Sequence, residues 1–155
     1  MHLKIIIKTK NELYVALTAI LAYIICVINN FHTDDWIVLS YLRNGSSWSD
    51  FLSMENLARF RPLTNILLYF RYLIFNSAPL GYYVVNIVLH VIVSVMLLRL
   101  LVKLKLPEKA CLFSALIFAF YFQHYEAVIW LYGTIRLFAA IFWILSLSSL
   151  YDYIT

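Results

Sequence analysis

Two adjacent carboxylates, Asp34 and Asp35, stand just beyond a first apolar stretch and are followed at once by Trp36. Neighbouring carboxyls need not share an environment. When their pKa values are pushed apart, one can act as a general base while the other supplies charge or a metal ligand. A pair of Asp residues opening a helix is equally a solvated N-terminus that complements the helix dipole, and spacing alone favours that plainer role. A second group, Gln123-His124-Tyr125-Glu126, closes a later apolar stretch. If that stretch runs on to Tyr132, Glu126 lies at or below a membrane interface, where an ionisable side chain is costly and points to function. If it ends near Phe122, His124 and Glu126 are ordinary loop residues. One His and one Glu two positions apart are too few for a metal site, but with Asp34 or Asp35 they would offer nitrogen and oxygen ligands to a divalent cation. Arg61 and Arg136 are candidates for a phosphate, which a planar guanidinium holds bidentately, or for simple anchoring at headgroups.

Composition decides what must position these residues. Of 155 residues, 64% are hydrophobic and 13% charged, and the mean hydropathy is +0.84, so this is an integral membrane protein. The net charge of +4 does not indicate nucleic acid, because the basic residues flank apolar runs instead of forming a stripe. Cys26 and Cys111 belong to different stretches and to no metal-spacing motif, and a disulfide between them is not expected.

Four spans can be drawn, at about 13–28, 80–102, 110 to the region of Tyr121, and 137–150. A cleaved signal peptide competes for the first, since Lys4, Lys8 and Lys10 give it a basic front, yet no small-residue cleavage site precedes Asn29-Asn30. Lys103, Lys105 and Lys109 fall between the second and third spans. An even number of crossings puts both lysine groups on one side, read as cytoplasmic, with the N-terminus inside and Asp34, Asp35, His124 and Glu126 outside. The compartment is a bacterial inner membrane or the endoplasmic reticulum. Arg43, Arg59, Arg61 and Arg71 in the outer loop weaken the bias without reversing it.

In the long loop from Phe31 to Pro79, helical periodicity covers 34–42 and resumes over 48–57 with Ser49 as cap. Asn44-Gly45-Ser46 reads as a turn, or as a glycosylation acceptor in a secretory context. The apolar run after Arg61-Pro62 ends at Phe75. It is too short to cross about 30 Å of hydrocarbon, so an interfacial helix is expected. Along the second span, Asn86, His90 and Ser94 share one face. They are expected to pack by interhelical hydrogen bonds of about 0.6 kcal/mol each, in preference to a proton relay.

The order of Asp34-Asp35-Trp36, Phe60-Arg61-Pro62-Leu63, Pro79-Leu80-Gly81-Tyr82-Tyr83, Asn86 to Leu89-His90 and Gln123-His124-Tyr125-Glu126-Ala127-Val128, with Trp130 and Gly133, resembles the N-terminal part of GT-C class membrane glycosyltransferases. Within that class it is most similar to the protein O-mannosyltransferase-like and tetratricopeptide-linked O-mannosyltransferase branch, over about residues 10 to 150. Where the branch often carries His-Pro and Gly-Arg-Ala-Asp, this chain has Tyr121-Phe122 and Gly133-Thr134-Ile135-Arg136. The apolar stretches predict an all-α polytopic helix bundle of about four spans with a long extracytoplasmic first loop bearing interfacial helices. The resemblance implies that residues 1–155 are a single membrane domain, the N-terminal portion of a larger GT-C module. It further implies transfer of a sugar from a polyprenyl-phosphate donor to an acceptor hydroxyl, with Asp34 as base, Asp35 as its partner, and Arg61 or Arg136 on the phosphate. His124 and Glu126 would position the acceptor or a divalent metal. The partners implied are the bilayer and the lipid-linked donor, with the acceptor and the metal unspecified and no nucleic acid. The rival is a non-catalytic four-span interaction or accessory protein.

Overall fold

The computed structural model describes residues 2–44 and 62–155, and every regular element among them is helical. Helix α1, His2–Tyr23, runs on as a 3₁₀ turn, Ile24–Ile28. Helices α2, Thr33–Arg43, and α3, Pro62–Phe75, lie in the long loop. Helix α4, Pro79–Lys103, is followed by α5, Glu108–Phe120, a short α6, Tyr125–Ile129, and α7, Thr134–Ile154. The expected helix over 48–57, its cap Ser49, and Gly45-Ser46 lie outside the described residues.

Among the described residues three stretches are long and apolar enough to cross a membrane: Thr9–Ile28, Pro79–Lys103 and Leu131–Ile154, with mean hydropathies of 2.0, 2.4 and 1.6. The third expected span is not one straight helix. The 13 residues of α5 reach only about 20 Å, and the chain then bends by 48° into Phe122–Ile129, so the two parts count as a fourth span only together. The expected all-α bundle is therefore borne out, with three continuous candidate spans and a fourth if the bent pair crosses as one. The last helix starts at Thr134, ahead of the expected 137.

A broken span strands backbone carbonyls that the bilayer cannot hydrate, and polar side chains from neighbouring helices answer them. Tyr23 donates its hydroxyl to Tyr121 O at 2.6 Å, His90 donates from Nε2 to Ala119 O at 3.1 Å, and His124 donates from Nδ1 to Phe118 O at 3.0 Å. The carbonyl acceptors fix which ring nitrogen carries the proton. Asn86 donates from Nδ2 to Val128 O at 2.9 Å and to Trp130 O at 3.1 Å. The face shared by Asn86 and His90 thus packs as expected, with His90 on a carbonyl at the break and Asn86 on carbonyls at the end of α6. Ser94 differs from its expectation: its hydroxyl bonds back to His90 O within α4.

Small side chains bring the spans together where they cross, with Ala19 of α1 against Ala115 and Ala119 of α5 beside Leu98 of α4. Helix α4 ends with Lys105 in the left-handed region (φ 59°), and Leu106 N–H returns to Leu101 O before Pro107 stops the helix. At this end of the bundle Arg99 pairs with Glu12 at 2.8 Å, Asn11 bonds Glu108, and Lys103 reaches Asp152 at 2.6 Å. The start of the first apolar span, at Asn11 and Glu12, and the α4–α5 turn therefore share one end, as an even number of crossings requires.

The opposite end is capped by α2 and α3, whose Val38, Leu39, Leu42 and Leu68 enclose Phe31, Tyr82 and Leu131. Helix α3 buries Thr64, Asn65 and Arg71 and turns Leu63, Phe70, Leu73 and Ile74 outward. An apolar outer face suits contact with the acyl boundary, in keeping with the interfacial position expected for this run. Gly133 lets the chain fold back on α6: a Cβ there would lie 2.3 Å from Ala127 O and 2.7 Å from Glu126 O. Neither backbone atom can move away easily. Gly133→Ala is expected to cost about 1–3 kcal/mol, seen as an earlier thermal transition in detergent, and an unchanged transition would contradict this close approach.

Candidate functional site

The site grows from the N-terminus of α2. His32 is extended, and its N–H donates to Asp35 Oδ2 at 3.1 Å while Asp35 N–H returns to His32 O at 3.0 Å, which closes the first turn. The other Asp35 oxygen accepts from Leu131 N–H at 3.1 Å, so one carboxylate stitches α2 to the turn before α7. Asp35 is fully buried. Burial pushes its carboxyl up from the usual carboxylate range, while the two N–H donors pull it down.

Beneath it runs a buried network. Arg71 donates from one terminal nitrogen to Thr134 Oγ1 at 2.7 Å and from the other to Tyr82 O at 2.6 Å, and Thr134 donates to Asn86 Oδ1 at 2.8 Å. Arg71 Nε has no hydrogen-bond partner among the described residues. Desolvation lowers the Arg71 pKa to about 10, which leaves it cationic at neutral pH, with Asp35 supporting its charge.

Asp34, one position earlier, is exposed. It lines an open cleft of about 530 Å³ with His32, Tyr125, Glu126, Ile129, Trp130 and Arg136. Arg136 sits in the first turn of α7, pairs with Glu126 at 2.6 Å and lies 5.9 Å from the Trp130 ring. Both side chains of that pair are about half exposed or more, so the pair is worth about 0–1 kcal/mol. Arg136 therefore remains available to an incoming anion.

Of the residues singled out in the sequence, the cleft brings together Asp34, Glu126 and Arg136. Asp35 lies behind its wall, because both of its oxygens are taken by backbone N–H groups. His124 points away, its ring 5.3 Å from His90 and 4.4 Å from Phe118, because it closes the end of α5. Arg61 lies outside the described residues. Among the described residues no three His, Cys, Asp or Glu side chains converge as a metal set. His32, Tyr125 and Trp130 join the cleft without having been given a role from sequence. Tyr125 and Trp130 stood only as members of the resemblance motifs, and His32 only as a chain neighbour of Asp34.

No family model and no solved structure matches the chain. Its sequence is 31% identical over 112 residues to "Protein O-mannosyl-transferase TMTC3" of Homo sapiens and 30% identical over the same length to that of Mus musculus. The aligned part is 72% of this chain and spans 12% of the length of either relative. The chain is thus a multi-helix membrane protein similar to O-mannosyl-transferases over a short part of their length.

Proposed function

We propose that this chain forms the donor-facing part of a membrane glycosyltransferase. It would move a sugar, mannose by analogy with its relatives' name, from a polyprenyl-phosphate donor to a hydroxyl of a polypeptide on the extracytoplasmic or lumenal side. The observation that carries the reading is the cleft itself, where the exposed carboxylate of Asp34 and the guanidinium of Arg136 share one opening at the end of the bundle that α2 and α3 cap. Such a reaction needs a base for the acceptor proton and positive charge for the departing lipid phosphate. Asp34 fills the first role and Arg136 the second. Asp35 fixes the helix turn that carries Asp34, and Glu126 would meet the acceptor hydroxyl.

The test is transfer of labelled mannose from polyprenyl-phosphate mannose to a threonine-bearing peptide by the protein in proteoliposomes. Transfer supports the reading; none, with the protein inserted and folded, leaves the accessory role. Orientation is tested separately, in a background lacking Cys26 and Cys111. A membrane-impermeant thiol reagent applied from outside is expected to label Asn44→Cys and spare Lys105→Cys, and the reverse pattern would put the cleft in the cytoplasm.

A further inference from the structure

The two ends of the bundle differ in charge. All six lysines and Arg99 lie at or beyond the end that holds the α4–α5 turn, against three carboxylates there, Glu12, Glu108 and Asp152, which leaves four net positive charges. At the other end Arg43, Arg71 and Arg136 balance Asp34, Asp35 and Glu126 among the described residues. The carboxylates of the positive end are already engaged. Glu12 takes two hydrogen bonds from Arg99, at 2.8 and 2.9 Å, Asp152 takes one from Lys103, and Glu108 accepts from Asn11 at 3.1 Å. Lys10, Lys105 and Lys109 are exposed and have no ion pair among the described residues. The Asn11–Glu108 bond joins the start of the first span to the start of α5. Lys10 and Lys109, the chain neighbours of its two partners, therefore stand on one rim, with Lys105 in the turn that precedes α5.

Each of these lysines borders exposed apolar side chains. Lys10 precedes Leu13 and Tyr14 by one turn, Lys109 precedes Phe113 and Ile117, and Lys105 is flanked by Leu104 and Leu106. A lysine so placed lays its stem along apolar surface and carries its charge to the headgroup level. Lys105 also adopts the left-handed conformation, φ 59°, just past the end of α4, where glycine sits without strain. The turn itself needs no side chain there, so what Lys105 adds is charge. We infer that the rim of Lys10, Lys105 and Lys109 binds anionic phospholipid, drawing it from the leaflet at this end in preference to zwitterionic lipid. The headgroup phosphate meets the lysines, and the acyl chains lie on the exposed faces of Leu13, Tyr14, Phe113 and Ile117. The inference does not depend on the transferase reading, because the rim lies at the opposite end from the cleft. In a bilayer rich in anionic phospholipid that lipid fills the rim by mass action, which leaves a scarce lipid-linked phosphate to the cleft.

The experiment places the whole protein in phosphatidylcholine bilayers and compares spin-labelled phosphatidylglycerol with spin-labelled phosphatidylcholine by the fraction of each that the protein immobilises. Phosphatidylglycerol is expected to associate about five-fold more strongly, the effect of one lysine at an anionic headgroup, and about 1 M salt should remove most of that preference. The variant carrying Lys10→Gln, Lys105→Gly and Lys109→Gln keeps both ion pairs of this end and frees the left-handed position of strain. It should bring the two lipids to near-equal association with its thermal transition kept. If that variant does not fold, Lys105→Gly alone carries the test and should still lower the preference. Equal association of the two lipids with the unaltered protein, or a preference unchanged in these variants, would overturn the rim. Loss of the preference in Arg43→Gln would place the attraction at the other end and overturn it as well. Displacement of the labelled lipid by inorganic phosphate, beyond that by chloride at equal ionic strength, would make the rim a site for free phosphate and not for lipid.

Discussion

Replacing Asp34 by Asn is expected to lower sugar transfer by about 10²- to 10⁴-fold, the contribution of a positioned general base. The side chain is exposed in the first turn of α2 and lines the cleft with Arg136 and Glu126. Asn keeps its size and much of its hydrogen bonding, but it cannot take the proton released by an acceptor hydroxyl. Because Asp34 is exposed, membrane insertion and thermal stability should be unaffected beyond the few tenths of a kcal/mol that a carboxylate gains at a helix N-terminus. Turnover from polyprenyl-phosphate mannose, measured at equal protein levels, is the check. A near-normal rate would return Asp34 to the role of a solvated helix end.

The neighbouring substitution should fail in a different way. In Asp35→Asn the amide offers one acceptor where two backbone donors, from His32 and Leu131, now find two. Its NH₂ group must face an N–H, and the charge that supports buried Arg71 disappears. Leaving a buried donor unmet and a buried cation less compensated should cost about 2–4 kcal/mol, or a thermal transition lowered by roughly 5–15 °C. The measurement is unfolding in detergent beside Asp34→Asn. Equal stability of the two variants would contradict the division between a chemical and a structural carboxylate.

That division marks how far the sequence could be read. The spans were legible because hydrocarbon thickness and the exclusion of charge impose long apolar runs, and α2 and α3 were legible from periodicity and from the breakers that bound them. Adjacent residues on a helix point about 100° apart. Only the docking of α2 on the Leu131 turn decides which of Asp34 and Asp35 faces inward, and that contact is long-range. The break at Tyr121 carries no proline or glycine. It persists because Tyr23, His90 and His124 supply its carbonyls with donors from three separate segments, contacts that no local pattern announces. Arg71 looked like an interruption of an apolar run. Its partners, Thr134 and the Tyr82 carbonyl, come together only in the folded bundle.

The central claim is that the cleft between α2 and the turn into α7 receives the lipid-linked phosphate. A polyprenyl phosphate bearing a photoreactive group beside its phosphate, activated in proteoliposomes, tests it most directly, with the labelled peptides identified by mass spectrometry. Label on residues 32–36 and 125–136, removed by excess unmodified polyprenyl phosphate and reduced in Arg136→Ala, is the predicted result. Label concentrated at the 104–109 turn, or spread along the outer faces of the helices and indifferent to competitor, would contradict it.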